Sequence, residues 1–479
     1  MANPIPDFII IFIILATLVS IYILSNILRL NLTTDNATQT ELSLTQLIEL
    51  HPLEYRWALK FIVNCFGYSC IFIPGILIYQ YTKRTKYLER CANKVSCIPL
   101  LVRSCFSSIR LSELPMHGAN ANAIKGGTWR IVYCFFGLMT SYLVWGLLQE
   151  KIITQPYETL TPEGHKFEEH FHDSQFLVFA NRSLAFLMAL VYLCAKNQFQ
   201  NTSPSSSSPI AAIAQITGSA PLFKYSFASF SNVMSAWFQY EALKYVNFPT
   251  QVLAKSFKII PVMLMGKIVS RKKFEFYEYL TAALISIGML AFLLGSKSDH
   301  HTVSSITSMA GILLLTMYLV FDSFTSNWQD ELFKTYSMSP IQMMCGVNLF
   351  STLFTAFSLA IQGGFMESFM FATTHSKFVV DCIALSICSA TGQLFIFYTI
   401  SHFGATVFSI IMTLRQAVAI LLSCIMYGHY ISAVGIFGVM IIFSALFLQI
   451  YCKQRLGMLR RKTEANESLL SLSERRANV

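Results

Sequence analysis

Apolar runs about as long as a bilayer is thick recur from one end of this 479-residue chain to the other. A helix needs about 20 largely apolar residues to cross the hydrocarbon core. Runs meeting that requirement fall at 8–28, 57–81, 128–148, 176–195, 223–245, 250–269, 277–294, 305–323, 340–362, 379–399, 405–427 and 431–452. The expected fold is therefore an all-α polytopic membrane protein with about twelve spans. Composition agrees: charged residues make up 13% of the chain, against about 25% in soluble domains. The first run is long for a signal peptide and lacks an A-x-A cleavage pattern, so it reads as a retained anchor.

Charge orients the spans, because Lys and Arg favour cytosolic loops. The tail beyond the last run carries Lys453, Arg455, Arg460, Arg461 and Lys462, which puts the C-terminus in the cytosol. Counting back, the loop with Arg271, Lys272 and Lys273 is cytosolic, and so is the basic stretch from Lys83 to Arg110. Residues 30–53 then lie on the other side and carry two N-x-[ST] sequons, at Asn31 and Asn36. Both are glycosylation candidates. Arg29 runs against this charge rule at the far end of the first span.

The formal net charge of +10 does not indicate nucleic acid, since the basic residues sit in short loops and the tail and no nucleic-acid motif accompanies them. The 12 cysteines show neither CxxC nor paired ligand spacing. His165, His170 and His172 lie in a loop that reads as solvated and acidic, so no metal site is expected. HExxH, GxSxG, a Walker lysine loop and a GxGxxG helix opening are all missing. No cofactor is expected, and the common catalytic classes are disfavoured.

Charges inside apolar runs are the informative residues, because a central Lys or Arg costs about 2.5–3.5 kcal/mol on insertion scales. Lys255 and Lys258, in QVLAKSFKIIPVMLMGK, share a helix face by their spacing. They read either as a phosphate-binding pair or as partners of an internal acid, Glu241 or Asp322. Pro261 just beyond them is expected to kink the helix. Arg415, in FSIIMTLRQAVAILLS, has no acid on its own helix and suits an anionic ligand. Gln416 and Thr413 flank it. Asn181, Arg182, Asn232, Gln239, Glu241, Asn348 and Gln393 read as interhelical or ligand-reading groups, and Tyr240 and Trp237 as aromatic platforms for a base.

The first two runs read as an extension (1–126) and the last ten as a core (127–453), followed by a basic tail (454–479). Divided into halves of about 127–295 and 304–453, the core places Lys258 and Arg415 in the fourth helix of each half. Halves with five spans each must be inverted relative to one another, and carriers built this way bind at the midplane.

The stretches VWGLLQEKIITQPY, FPTQVLAKSFKIIPVMLMGK and EYLTAALISIG resemble the nucleotide-sugar transporters of the drug/metabolite transporter superfamily. DSQFLVFANR, KYSFASFSNVMSAWFQYEALK, FDSFTSNWQDELF, QMMCGVNLFS and the long stretch from SATGQLF to IMYGH resemble the branch that carries 3′-phosphoadenosine 5′-phosphosulfate (PAPS). The resemblance spans 127–452. It implies a ten-helix inverted-repeat core in the Golgi membrane. It implies antiport of PAPS into the lumen against an adenine nucleotide such as adenosine 3′,5′-bisphosphate, supplying lumenal sulfotransferases. A homodimer is compatible with it, and no enzymatic activity is expected. By the same resemblance, Lys255 or Lys258 and Arg415 hold phosphate, and Asn348 contacts the base. Arg415 stands in TLRQ where some relatives have lysine, which keeps the charge but changes the contact geometry. A UDP-sugar carrier is the nearest alternative; a membrane-embedded transferase lacks a candidate base.

Overall fold

The computed structural model describes residues 5–32, 44–49, 53–90, 97–106, 127–154, 156–160, 166–169, 171, 173–200, 220–242, 245, 254–255, 257–295, 309–336, 338–426, 433–445, 447–449, 451–452 and 455–456. Over its described part, each apolar run read from the sequence contains helix.

The N-terminal region contains α1 (Ile5–Leu32), α2 (Leu44–Glu49), α3 (Leu53–Thr85), α4 (Tyr87–Arg90) and α5 (Cys97–Phe106). Then follow α6 (Gly127–Thr154), α7 (Ser174–Gln200), α8 (Leu222–Ala242), α9 (Ile259–Val269) and α10 (Phe276–Gly295). The second half of the chain holds α11 (Met309–Tyr336), α12 (Pro340–Gln362), α13 (Gly364–Thr374), α14 (Ser376–Met426) and a last apolar helix, α15 (Ala433–Gln449). Among the described residues, six helices are long and apolar enough to span a bilayer: Pro6–Asn31, Arg56–Thr85, Gln175–Lys196, Met309–Tyr336, Pro340–Gln362 and Ser376–Arg415. The shorter apolar helices are Ile259–Val269, Phe276–Phe292 and Ala433–Gln449.

Three local departures from the expected spans matter. First, the run at 250–269 is not one helix. Phe257 N donates to Ala254 O (3.1 Å), Lys258 N to Lys255 O (3.2 Å) and Ile260 N to Phe257 O (3.2 Å), so the backbone winds in tight three-residue turns before α9. Pro261 then sits in the first turn of α9, where its missing N–H costs nothing. The break lies where a proline acts: its ring crowds the carbonyl four residues back, that of Phe257, and the regular helix begins only at Ile259. Second, α11 runs to Tyr336, well past the apolar run, because its last turns bury Ser323, Thr325, Ser326, Asn327, Gln329 and Asp330 inside the bundle. Third, α14 joins two expected spans through a break at Gly404 (φ 84, ψ 168), a conformation essentially restricted to glycine. A two-stranded antiparallel pair, β1 (Tyr157–Leu160) and β2 (Lys166–Glu169), also covers the loop between α6 and α7.

The packing partners exchange when the halves are exchanged. α8, third in its half, packs against α11, first in the other half; α6, first in its half, packs against α14, which begins with the third. The two second helices, α7 and α12, pack on each other. Gly288 of α10 and Gly438 of α15 meet closely: a Cβ on Gly288 would lie 2.9 Å from the Gly438 carbonyl oxygen. Polar contacts fix several of these crossings, including Ser231 Oγ with Thr325 Oγ1 (2.7 Å) and Ser386 Oγ donating to Asn181 Oδ1 (2.8 Å). α12 starts with a capping box, Ser339 with Gln342, and ends at left-handed Gly363.

α3 is bolted to this bundle. Asn64 Oδ1 accepts from Ser358 Oγ (2.7 Å), Gln362 Nε2 (2.7 Å) and Gln175 Nε2 (3.3 Å), linking α3 to both α12 and α7. The aromatic rings of Tyr68 and Phe72 pack edge-on and stacked against Phe354.

Candidate functional site

Between α6, α7, α8, the turn before α9, α11 and α14 lies a cavity of about 280 Å³. Arg182, Lys255, Lys258 and Arg415 line it, and Asp322 is the only carboxylate among its described lining residues. The formal excess there is three positive charges.

Each cation is held differently. Lys258 Nζ lies 2.5 Å from Asp322 Oδ2 and 5.1 Å from the centre of the Phe408 ring. Arg182 Nη2 donates to Asn232 Oδ1 at 3.1 Å. Arg415 lies over the Tyr142 ring, 4.9 Å from its centre, and its buried Nε has no hydrogen-bond acceptor. Among the described residues, no carboxylate comes within ion-pair distance of Lys255, Arg182 or Arg415. Desolvating an unpaired cation is expensive, so three such groups aimed at one cavity form a receptacle for a polyanion. The tight turns that carry Lys255 and Lys258 keep three residues per turn, so both side chains leave the same face. The N-terminal end of α9 adds its partial positive charge nearby.

The remaining lining suits a flat polar ring. Tyr142, Trp145, Tyr240 and Tyr318 supply aromatic faces, and Asn181, Asn232, Gln239, Gln329 and Gln393 supply amides.

The residues singled out from the sequence divide as follows. Lys255, Lys258, Arg415 and Tyr240 come together at the cavity, with Thr413. Asn348 stands one layer back: it is fully buried, and its Nδ2 donates to Gln393 Oε1 (2.7 Å) and to Met344 O (2.9 Å). Gln393, not Asn348, presents its side chain to the cavity. Trp237 packs on Phe61 and Phe238, away from the lining. The Gln416 side chain and Asn36 lie outside the described residues, as do His165, His170 and His172. Asn31 is exposed at the end of α1. Asp322 is the carboxylate on Lys258, as one of the two structural alternatives required. Lys258 thus belongs both to the cavity and to an ion pair.

Two further ion pairs join residues of 127–295 to residues of 304–453. Lys151 Nζ meets Asp381 at 2.9 Å (Oδ1) and 2.8 Å (Oδ2), and Tyr157 OH donates to Asp381 Oδ2 at 3.1 Å. Burial, reinforced by Asp381, pushes the Tyr157 phenol up, so it remains a neutral donor. Lys272 pairs with buried Asp330, which also takes Lys334 at 2.9 Å and lies beside the Gly404 break.

A helical membrane bundle with a cationic cavity, lined by residues from both 127–295 and 304–453, has the architecture of a small-molecule carrier. The sequence places it more closely: the family model of the UAA transporter family matches residues 130–453. The chain belongs to that family, whose members are transporters and not enzymes. It is 52% identical to adenosine 3′-phospho 5′-phosphosulfate transporter 1 of Drosophila melanogaster, an alignment covering 98% of each chain. It is 48% identical to the protein of the same name from Homo sapiens, over 86% of this chain and 91% of that one. UDP-galactose/UDP-glucose transporter 5 of Arabidopsis thaliana is 35% identical, over 69% of this chain and 90% of that one.

Proposed function

We propose that this protein carries PAPS across the Golgi membrane into the lumen in exchange for an adenine nucleotide such as adenosine 3′,5′-bisphosphate, and so supplies lumenal sulfotransferases. The observation that carries the reading is the cavity with four cations and one carboxylate. PAPS has roughly four negative charges, counting a phosphomonoester of about −1.5 to −2 and the phosphosulfate. A UDP-sugar carries about half as many and would leave cations unmatched. The relative named for PAPS, 52% identical over 98% of each chain, supports the same choice over the UDP-sugar alternative, whose named relative is 35% identical over 69% of this chain.

In this reading Lys255, Lys258, Arg415 and Arg182 hold the phosphate and sulfate oxygens, and Tyr240, with Gln393 braced by Asn348, faces the base. Gln416 follows Arg415 in the same helix and is kept as a candidate contact. The halves 127–295 and 304–453 are inverted repeats that rock about the cavity. The exchanged packing partners support that relation. Lys151–Asp381 and Lys272–Asp330 each join one half to the other and serve as the outer closures. Reorienting an empty cavity would seal unpaired cations away from water, which favours exchange over one-way movement. The C-terminus lies in the cytosol, and Asn31 and Asn36 lie in the lumen. A homodimer is compatible with this arrangement.

The test is ligand-induced thermal stabilisation of the detergent-purified protein by PAPS, adenosine bisphosphate, UDP-galactose and UDP-glucose. Binding raises the melting temperature by mass action. Stabilisation by the two adenine nucleotides at concentrations where the UDP-sugars do nothing is expected. The reverse order moves the substrate assignment to a UDP-sugar and leaves the fold intact.

A further inference from the structure

Among the described residues, Lys258 is the one cavity cation already joined to a carboxylate, and that ion pair crosses between the halves. Lys258 stands at the start of α9 in the first half, and Asp322 is in the middle of α11 in the second. Three features separate the pair from a structural brace. Asp322 lines the cavity, with its side chain 23% exposed there, instead of being packed away behind it. The contact is single: one carboxylate oxygen, Asp322 Oδ2, lies on Lys258 Nζ at 2.5 Å. Braces elsewhere between the halves differ. Asp330 is almost completely buried and shared by two lysines, and Asp381 takes a bidentate lysine contact together with the Tyr157 hydroxyl.

We infer that Asp322 is a resident counter-anion for Lys258, displaced by the substrate's own anionic group when the cavity fills. The inference rests on the proposed PAPS exchange and names the residue that sets both its affinity and the strictness of its coupling. In the empty carrier Asp322 neutralises one of four cations and lowers the cost of closing over an unfilled cavity. In the loaded carrier Lys258 turns to a phosphate or sulfate oxygen, and the freed carboxylate faces the water of the cavity. Lys258 is therefore available to the ligand only for the fraction of time that Asp322 releases it. Apparent affinity is reduced by that same fraction. If the pair is formed about nine-tenths of the time, removing the acid raises apparent affinity about tenfold.

The experiment is Asp322→Asn in proteoliposomes, with two rates measured. One is uptake of labelled PAPS against internal adenosine bisphosphate; the other is release of internal label into ligand-free medium. The expected result is a KM for PAPS about tenfold lower than wild type, with release into ligand-free medium falling relative to exchange. In a Lys258→Gln background, binding of adenosine bisphosphate by thermal shift should gain nothing from Asp322→Asn, since the two residues act as one unit. Wild-type KM together with a wild-type release-to-exchange ratio overturns the inference. A variant that melts like wild type but neither binds nor exchanges overturns it as well, because Asp322 is then required and not displaced. An affinity gain that persists in the Lys258→Gln background assigns the effect to overall cavity charge and rejects the specific pair. Failure of the wild-type protein to exchange PAPS at all rejects the functional reading instead, and is seen independently in the control arm.

Discussion

Replacing Arg415 by Gln separates a ligand-holding cation from a structural one. A cation that braces helices has a carboxylate partner, and its removal strands that partner at a cost of about 3–5 kcal/mol when the pair is buried. Arg415 has no such partner among the described residues: it rests on the Tyr142 ring and leaves its Nε without an acceptor. The shorter, neutral glutamine removes an uncompensated charge and forfeits a cation–π contact of about 0.5–2 kcal/mol. These effects oppose each other, so stability should move by less than about 1 kcal/mol. Binding is different. Two charge-assisted hydrogen bonds to a phosphate, at about 1.5–3 kcal/mol each, amount to a loss of about 3 kcal/mol or more. At 1.4 kcal/mol per decade that is at least about a hundredfold in affinity. The assay pairs thermal melting of the purified variant with titration by adenosine bisphosphate. An unchanged melting temperature with a hundredfold weaker titration is expected. A large loss of stability, or wild-type binding, would refute the assignment of Arg415 to the ligand.

Further outcomes follow from the same geometry. Lys258→Ala should also abolish PAPS exchange but, unlike Arg415→Gln, should lower the melting temperature, because Asp322 loses its counter-charge; adding Asp322→Asn should restore the melting temperature without restoring exchange. Asn64→Leu should cost about 2 kcal/mol, at about 0.6 kcal/mol or more for each lost interhelical bond, seen as earlier melting; wild-type melting would mean that α3 is not bolted through Asn64. Gly404→Ala places a Cβ on a glycine-only backbone conformation and should cost about 1–3 kcal/mol, measured by chemical denaturation in detergent alongside the exchange rate. Asn31→Gln with Asn36→Gln should remove an endoglycosidase-sensitive mobility shift if residues 30–53 face the lumen; a shift that persists would reject these sequons.

The spans were legible because hydrophobic length alone marks a helix in lipid, and every expected run contains helix over its described residues. What hydropathy conceals is where backbone winding changes. QVLAKSFKIIP is apolar enough to read as one helix, yet its hydrogen bonds close three-residue turns before Pro261. The length of α11 was hidden for the opposite reason: its last turns are polar because they face the interior of the bundle, not water. At the site, Lys255, Lys258 and Arg415 stood out as charges in apolar runs. Arg182 gives the same signal in FANRSLAF, beside an amide that reads equally well as an interhelical contact, and only the structure brings it to the cavity. Asp322 was legible merely as a structural partner, because sequence carries no information on whether an ion pair faces a cavity. The exchange of Asn348 for Gln393 at the lining is a matter of helix rotation, which a single sequence does not encode.

The central claim is coupled movement of PAPS, and the most direct measurement is uptake of radiolabelled PAPS by proteoliposomes containing the purified protein, either preloaded with adenosine 3′,5′-bisphosphate or left empty. Rapid uptake into preloaded vesicles, little into empty ones, and no competition by UDP-galactose are expected. Equal uptake by both vesicle types would contradict exchange, and uptake of UDP-galactose without uptake of PAPS would contradict the substrate.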